Sequence, residues 1–543
     1  MNNGIFEIPT PQNEPILSYM PGSSEKSEIK QMISLLKKQQ MHIPLIIGGK
    51  EVFTGDTDTC IIPHEKEHVL AYYHKAGEKE VHAAIHASLE AKQAWQQMCW
   101  EDRASIFLKA AALISGPYRS LMNAATMLSQ SKTIYQAEID AVCELCDFFR
   151  FNAYFLNQIY KEQPNNSHSV WNKTEYRPLE GFVFAITPFN FTSIAGNLPT
   201  APAICGNTVI WKPSSTSVYS NYLIIKILME AGLPAGVINF VPGSGKQIGD
   251  IVMKDKNLAG IHFTGSTETF DSIWKTVGEN LADYRTYPRL IGETGGKDFI
   301  FVHESADAQE VVTAIVRGSF EYQGQKCSAA SRVYIPSGME KEVDDRLKQT
   351  VSEIKMGDPE DFRNFMSAVI DKNSFDKIQS YIDYAKNSDK AELLIGGGCD
   401  ESVGYFIEPT VIKTTDPAFK TMQEEVFGPV VTIYIYDESK LNETLTLCDE
   451  TSKYALTGAV FAKDREVIQQ ISQRLYHAAG NFYINDKPTG AVVGQQPFGG
   501  ARKSGTNDKA GSKTNLMRWI SQRSIKENFE PAKGFEYPYM NEE

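Results

Sequence analysis

A cysteine acts as a nucleophile only if a substrate carbon can reach its sulfur and if positive charge, backbone N–H groups or a general base supports its thiolate. The segment Glu321-Tyr-Gln-Gly-Gln-Lys-Cys-Ser-Ala-Ala-Ser-Arg332 presents Cys327 after a glycine-containing turn and before small residues, with Lys326 adjacent. Read alone, the segment fits a small buried thiol better, because most cysteines are inert. What argues for chemistry is the rest of the chain. Thr187-Pro-Phe-Asn190, Lys212-Pro-Ser-Ser215, Gly265-Ser266-Thr267 and Glu293-Thr-Gly-Gly296 each place polar side chains or glycines directly after a short apolar run.

Those runs cover residues 182–186, 209–212, 260–264 and 289–292; with 237–241 they alternate with helical stretches such as 218–230, where Val218, Tyr222, Ile225 and Met229 share a face. Such alternation predicts βαβ units and a parallel sheet covered on both sides, whose ligands lie beyond the carboxyl ends of the strands. Gly265-Ser266 follows a strand and opens a helix, where free N–H groups and the helix dipole favour a pyrophosphate. Gly243-Ser-Gly245-Lys-Gln-Ile-Gly249 is one residue too long for the dinucleotide fingerprint and is the weaker candidate. A second α/β pattern runs from 297 to about 495, with strands near 299–302, 332–335, 430–436, 458–462 and 480–484, and it carries Cys327. Ahead of both lie an amphipathic helix within 23–40, a strand pair around Gly48-Gly49, and a helical layer over 79–160 with no chemical group to single out. Residues 169–179 and 516–528 are polar and β-prone; paired, they could form an arm reaching another subunit.

A chain of 543 residues exceeds one hydrophobic core, so two large domains are expected. Hydrophobic residues at 42% and charged residues at 22% exclude disordered and fibrous classes. No apolar run reaches the roughly 20 residues of a membrane span. A net charge of −13 argues against a nucleic-acid partner. Eight dispersed cysteines suggest free thiols in a reducing compartment; Cys143-Glu-Leu-Cys146 has no second pair to complete a zinc site, and no metal is expected. The first residues lack a basic region followed by an apolar core, and the expectation is a cytoplasmic protein of bacterial type.

Taken in order, the motifs resemble the aldehyde dehydrogenase superfamily from about residue 45 to 530. Thr187-Pro-Phe-Asn190-Phe is similar to its oxyanion-hole segment, Gly292-Glu293-Thr-Gly-Gly-Lys to its general-base segment, and Gln323-Gly-Gln-Lys-Cys327 to its nucleophile segment. Glu424-Glu425-Val-Phe427-Gly-Pro429 resembles its nicotinamide-ribose segment, and Pro497-Phe-Gly-Gly-Ala-Arg-Lys-Ser-Gly505 its loop closing the aldehyde pocket. The resemblance implies two doubly wound parallel-sheet α/β domains, one Rossmann-like, plus a small β oligomerisation arm. It places the NAD-binding domain at 1–165 and 186–296, the catalytic domain at 297–495, and the arm with the C-terminal segment at 166–185 and 496–543. Cys327 would be the nucleophile, Glu293 the base that activates water, and Asn190 with the Cys327 N–H the oxyanion hole. Thr187, Pro188, Phe189, Lys212, Ser215, Gly265, Ser266, Glu425 and Phe427 would contact NAD. Many relatives carry a glutamate at the position of Ser215, so NADP could be tolerated. A second glycine common in the family, five residues after Gly265, is Phe270 here.

Phe270, Gly292-Glu-Thr-Gly-Gly-Lys-Asp298, Cys327-Ser328-Ala-Ala-Ser-Arg332 and Phe498-Gly-Gly-Ala-Arg-Lys-Ser-Gly-Thr-Asn507 together resemble the L-glutamate γ-semialdehyde (1-pyrroline-5-carboxylate) dehydrogenases of proline catabolism. That resemblance implies a small semialdehyde substrate bound by Phe191, Ser328, Gly500 and Ala501, and a homodimer or higher homo-oligomer. The alternatives are a dehydrogenase of another carboxylated semialdehyde such as succinate semialdehyde, a cofactor-independent hydrolase, and a non-catalytic member of the family.

Overall fold

The computed structural model describes Gly4 and residues 6–541, and it is organised around two seven-stranded sheets. In the first, Arg289–Glu293, Leu258–Thr264, Phe182–Ile186, Thr208–Lys212 and Ile238–Phe240 are parallel neighbours in that order. The antiparallel pair Leu45–Ile47 and Lys50–Val52 extends this sheet beyond Ile238–Phe240. Phe182, Val183, Phe184 and Ala185 are almost wholly buried, as a strand covered on both faces must be. Chain order reverses between Phe182–Ile186 and Leu258–Thr264, which makes the carboxyl ends of these two strands the switch point at which an open α/β sheet leaves a crevice.

The second sheet runs Ala391–Ile395, Thr410–Thr414, Val430–Tyr436, Ala330–Pro336, Asp298–Val302, Thr457–Phe461 and Asn481–Ile484, parallel except for its first pair. Ala391–Ile395 and Thr410–Thr414 are absent from the sequence reading; the first is a half-exposed edge strand without a continuous apolar run. Also unforeseen is a three-stranded sheet of Met41–Ile43, Glu65–His74 and Thr57–Ile62. The helical layer consists of Glu78–Gln97, Trp100–Ser115, Arg119–Gln130 and Leu145–Tyr160, with a π-helical turn at Glu138–Glu144. Val170–Pro178 and Ile520–Asn528 pair antiparallel over nine residues as an isolated ribbon. An arm drawn as 166–185 therefore overruns by one strand, because Phe182–Ile186 lies inside the first sheet.

Candidate active site

The cysteine segment is held by a left-handed turn. Tyr322, Gln323 and Gly324 have φ of 52°, 56° and 64° in succession. Such backbone costs about 1–3 kcal/mol at a non-glycine residue and persists only where its surroundings impose it. Here Gln323 Nε2 donates to Ser131 O at 3.1 Å and Ala368 O at 2.7 Å, and Gln325 Oε1 accepts from Ile370 N at 2.9 Å. At Gly324 a Cβ would lie 2.2 Å from Gly428 O, so only glycine fits. The turn delivers Cys327, half-buried, just ahead of Ala330–Pro336.

Asn190, 4% exposed, points its Nδ2 at Gln325 O, 3.1 Å away, two residues before Cys327. The amide keeps a second hydrogen, which suits it to an oxyanion hole. Glu293 ends the strand Arg289–Glu293, and its Oε2 accepts from Gly500 N at 3.1 Å. From Glu293 the chain crosses to the second sheet through Gly295 and Gly296. A Cβ on Gly295 would meet Glu425 Oε2 at 2.6 Å, and one on Gly296 would meet Cys327 O at 2.0 Å. The two glycines thus let the backbone pass between Cys327 and Glu425, and Gly296 N donates to Glu425 Oε1 at 2.9 Å on the way.

Lys326, adjacent to the cysteine, is buried in an ion pair with Glu321 at 3.2 Å. Desolvation, followed by Asp298, Glu425 and Glu293, pushes the Cys327 thiol well above its ordinary pKa, so the thiol rests protonated. Desolvation also raises Glu293 well above the usual carboxylate range, against the Gly500 N–H and Lys509. Asp298 is pushed up to about 8 by burial, and Lys297, whose Nζ has no hydrogen-bond partner, is pushed down to about 7 for the same first reason.

The cofactor candidates lie along the carboxyl edge of the first sheet. Lys212 pairs in register with Ile186, and burial alone lowers its pKa to about 8. Its Nζ lies 3.7 Å from where a Cβ on Gly245 would sit, so the Gly243–Gly249 turn, set aside on sequence, faces the same edge. Ser215 is exposed in the short turn Ser215–Ser217. Ser266 caps the helix Thr267–Glu279. Gly265 departs from expectation: its N–H donates to Glu293 O at 3.2 Å, and its missing side chain makes room for the Phe263 ring. Phe270, in place of a second glycine, stacks on Phe263 at 5.3 Å and fills the space a Cβ on Gly292 would need. Thr187 Oγ1 accepts from Trp211 Nε1, and Pro188 O accepts a 3.5 Å contact from Ser217 Oγ. Phe189 and Phe427 meet edge to face at 5.8 Å, with Phe427 at φ 61°. Buried polar anchors, a capped helix N-terminus beyond a strand, and a carboxylate on the opposite domain's loop fit a dinucleotide.

The pocket candidates need one correction. Gly500 N, expected to meet substrate, is engaged by Glu293, and Ala501 sits in a two-residue strand opposite Ala455. Ser328 Oγ instead meets Thr489 Oγ1 at 2.8 Å, which turns it towards Thr489-Gly490-Ala491, where Gly490 has φ 92°. Phe191 lies 4.3 Å beneath Lys132 Nζ, which also covers Tyr322 at 4.4 Å and pairs with Asp140 at 2.6 Å. That ionic group lies in and beside the helical layer and carried no sequence signal. Among the described residues, His64, Glu65 and Asp358 bring donor atoms within 4.8 Å of one another, with Lys37 Nζ already 2.5 Å from Glu65.

Residues 54–525 match the sequence profile described as the aldehyde dehydrogenase family. The chain is 53% identical to the mitochondrial delta-1-pyrroline-5-carboxylate dehydrogenase of Dictyostelium discoideum over 98% of this chain and 96% of that protein. It superposes on the crystal structure of the delta-pyrroline-5-carboxylate dehydrogenase from Mycobacterium tuberculosis bound with NAD at a TM-score of 0.96, with 48% identity over 99% of this chain and 100% of that one. The corresponding enzyme from Thermus with bound NAD gives 0.90 at 32% identity, over 96% and 100%. The Dictyostelium relative is named mitochondrial, so the expectation of a bacterial source is not borne out. No helix among the described residues is long and apolar enough to cross a membrane.

Proposed function

Since the chain belongs to the aldehyde dehydrogenase family, we propose that it oxidises L-glutamate 5-semialdehyde, in equilibrium with 1-pyrroline-5-carboxylate, to L-glutamate with NAD, as the second step of proline degradation. The observation that carries the chemistry is the convergence of three separate segments on one point: Cys327, the Asn190 amide bonded two residues upstream of it, and the Glu293 carboxylate seated on the Gly500 N–H. The substrate rests on near-full-length identity to proteins of that name.

The Cys327 thiol gives its proton to water, the thiolate attacks the aldehyde carbon, and the resulting thiohemiacetal oxyanion accepts hydrogen bonds from the Asn190 amide and the Cys327 N–H. Bound NAD supplies the acceptor for the hydride that leaves this carbon, and a thioester remains on Cys327. Lys212, Ser215 and Ser266 would hold the adenosine and pyrophosphate side, Glu425 the nicotinamide ribose, and Phe189 and Phe427 the nicotinamide ring. Glu293, whose pKa is raised by burial, takes a proton from water; the water oxygen attacks the thioester carbon, the C–S bond breaks, and the carboxylic acid departs. Ser328 and the main-chain N–H groups of the Thr489-Gly490-Ala491 loop capture the substrate's α-carboxylate, a role supported by the Ser328–Thr489 contact. The ribbon of Val170–Pro178 and Ile520–Asn528 joins two copies as a homodimer.

The test is stopped-flow NADH absorbance combined with intact-protein mass spectrometry. Cys327→Ala should form no NADH from the semialdehyde. Glu293→Gln should release one NADH per site and leave a thioester on the protein. Undiminished turnover by Cys327→Ala overturns the reading, and equal rates with succinate semialdehyde would move the substrate to the broader class.

A further inference from the structure

Glu293 is enclosed by one long return of the chain. Thr506 N donates to Gly292 O at 2.9 Å, Gly292 N to Thr506 Oγ1 at 3.0 Å, and Thr294 N to Ser504 O at 3.0 Å, which ties residues 504–506 along the strand that ends in Glu293. The other limb of this return, Phe498-Gly499-Gly500, presents the N–H on which Glu293 Oε2 rests. A Cβ on Gly499 would lie 3.1 Å from Glu293 Oε1 and 3.2 Å from Lys509 N, so carboxylate, limb and Lys509 backbone are in contact.

What fixes this limb is a pair of side chains. Lys509 Nζ donates to Gly499 O at 3.1 Å, to Gly480 O at 2.8 Å and to Asn481 Oδ1 at 3.2 Å. Asn481 Oδ1 also accepts from Gly499 N at 3.1 Å, and Asn481 Nδ2 donates to Pro497 O at 3.1 Å. All three ammonium hydrogens therefore end on neutral oxygens, and the cation is spent on shape without being neutralised. Lys509 itself stands at φ 54°, with Asn507 at φ 55°, conformations a non-glycine residue keeps only when held. Burial lowers the Lys509 pKa and the charge of Glu293 opposes that fall; Lys509 in turn pulls the Glu293 carboxyl downward against desolvation, and Asp508, on the same return, pushes it up.

We infer that Lys509, acting with Asn481, is a positioning residue for thioester hydrolysis: it clamps the Gly499–Gly500 peptide that seats Glu293 and supplies an unpaired positive charge beside the base. This rests on the proposed role of Glu293 in activating water. Lys509 has no part in the attack of Cys327 or in hydride transfer, so its loss falls on the second half of the reaction.

The test uses the full chain with Lys509→Met, Lys509→Gln and Lys509→Arg. In rapid mixing with NAD and the semialdehyde, the first-turnover NADH burst of Lys509→Met and Lys509→Gln should stay within about twofold of the parent, while steady turnover falls at least about tenfold. Mass spectrometry should find the thioester accumulating on Cys327. The acid limb of turnover should move to higher pH, because removing a positive charge raises the Glu293 pKa and the carboxylate base is then lost sooner as pH falls. Lys509→Arg should recover most of the turnover. Parent-like turnover and acid limb in Lys509→Met overturn the inference, as does an equal loss of burst and turnover that arginine does not rescue, which would mark a merely structural lysine. A parent protein that makes no NADH overturns the proposed function instead. In that event hydrolysis of a chromogenic ester, which acylates Cys327 without cofactor, still decides Lys509 by whether the acyl-protein persists in the variant.

Discussion

Cys327, the nucleophile of the proposed reaction, sits in surroundings that raise its pKa, burial first. The sequence places a lysine beside it, but the folded chain turns that lysine onto Glu321 and surrounds the thiol with Asp298, Glu425 and Glu293. A thiol pKa raised by desolvation and like charge means that little thiolate exists at neutral pH and that its fraction rises roughly tenfold per pH unit. Iodoacetamide labelling of Cys327 without cofactor, followed by peptide mass spectrometry, should therefore keep accelerating above about pH 9. A plateau below pH 8 would contradict the geometry. Ser215 supports a second expectation at this scale. Burial is the only influence resolved on Lys212, and in the proposed cofactor site Ser215 brings no negative charge towards the adenosine ribose. NADP should be used measurably, and Ser215→Glu should cut specificity for NADP far more than for NAD, each tenfold change corresponding to about 1.4 kcal/mol. An unchanged ratio in steady-state kinetics would mean that Ser215 faces away from the ribose.

The elements matter chiefly through where they end. Arg289–Glu293 finishes at the edge of one sheet and Asp298–Val302 opens the core of the other, with four residues between them. That short crossing sets Glu293, Cys327 and Glu425 in one place, and it does so through glycines with no space for a side chain. Gly296→Ala should drive its new methyl against Cys327 O, at 2.0 Å before relaxation. Overpacking of this kind typically costs about 1–3 kcal/mol, and the shift falls on the Cys327 backbone. Chemical denaturation should show that loss, and the NADH burst should fall with it. A burst of full size and rate would show that the crossing tolerates displacement.

At the scale of the whole molecule, the ribbon of Val170–Pro178 and Ile520–Asn528 stands apart from both large sheets. A two-stranded ribbon is marginal on its own, and this one exposes Trp171 at 53% and Phe529 at 52%, packed edge to face at 5.3 Å. An edge of this kind is best covered by another strand. Trp519 and Ile520 are buried in the core that also holds Val183 and Ala185 of the first sheet, so the informative deletion begins at Ser521. Loss of residues 521–543 should convert the proposed dimer into monomers in size-exclusion chromatography with light scattering. A dimer that survives the deletion would place the interface elsewhere.

Much of this was legible before folding was considered. Short apolar runs, the polar and glycine residues after them, and the order of the motifs are local properties, and they sufficed for the five parallel strands of the first sheet and for Cys327, Glu293 and Asn190 as candidates. Helix 218–230 was legible because its apolar spacing is its own. What only the tertiary structure decided depends on groups distant in the chain. Gly500 N serves Glu293 and not the substrate, across 207 residues, and Ser328 finds Thr489 across 161. The proton on Cys327 is held first by burial and then by carboxylates from two segments, Glu293 with Asp298 and Glu425, and no spacing in the sequence encodes either. Ala391–Ile395 is a strand only because Thr410–Thr414 offers it an edge to pair with. Residue types fixed the reaction that could be run; long-range hydrogen bonds and desolvation fixed which atoms are free to run it.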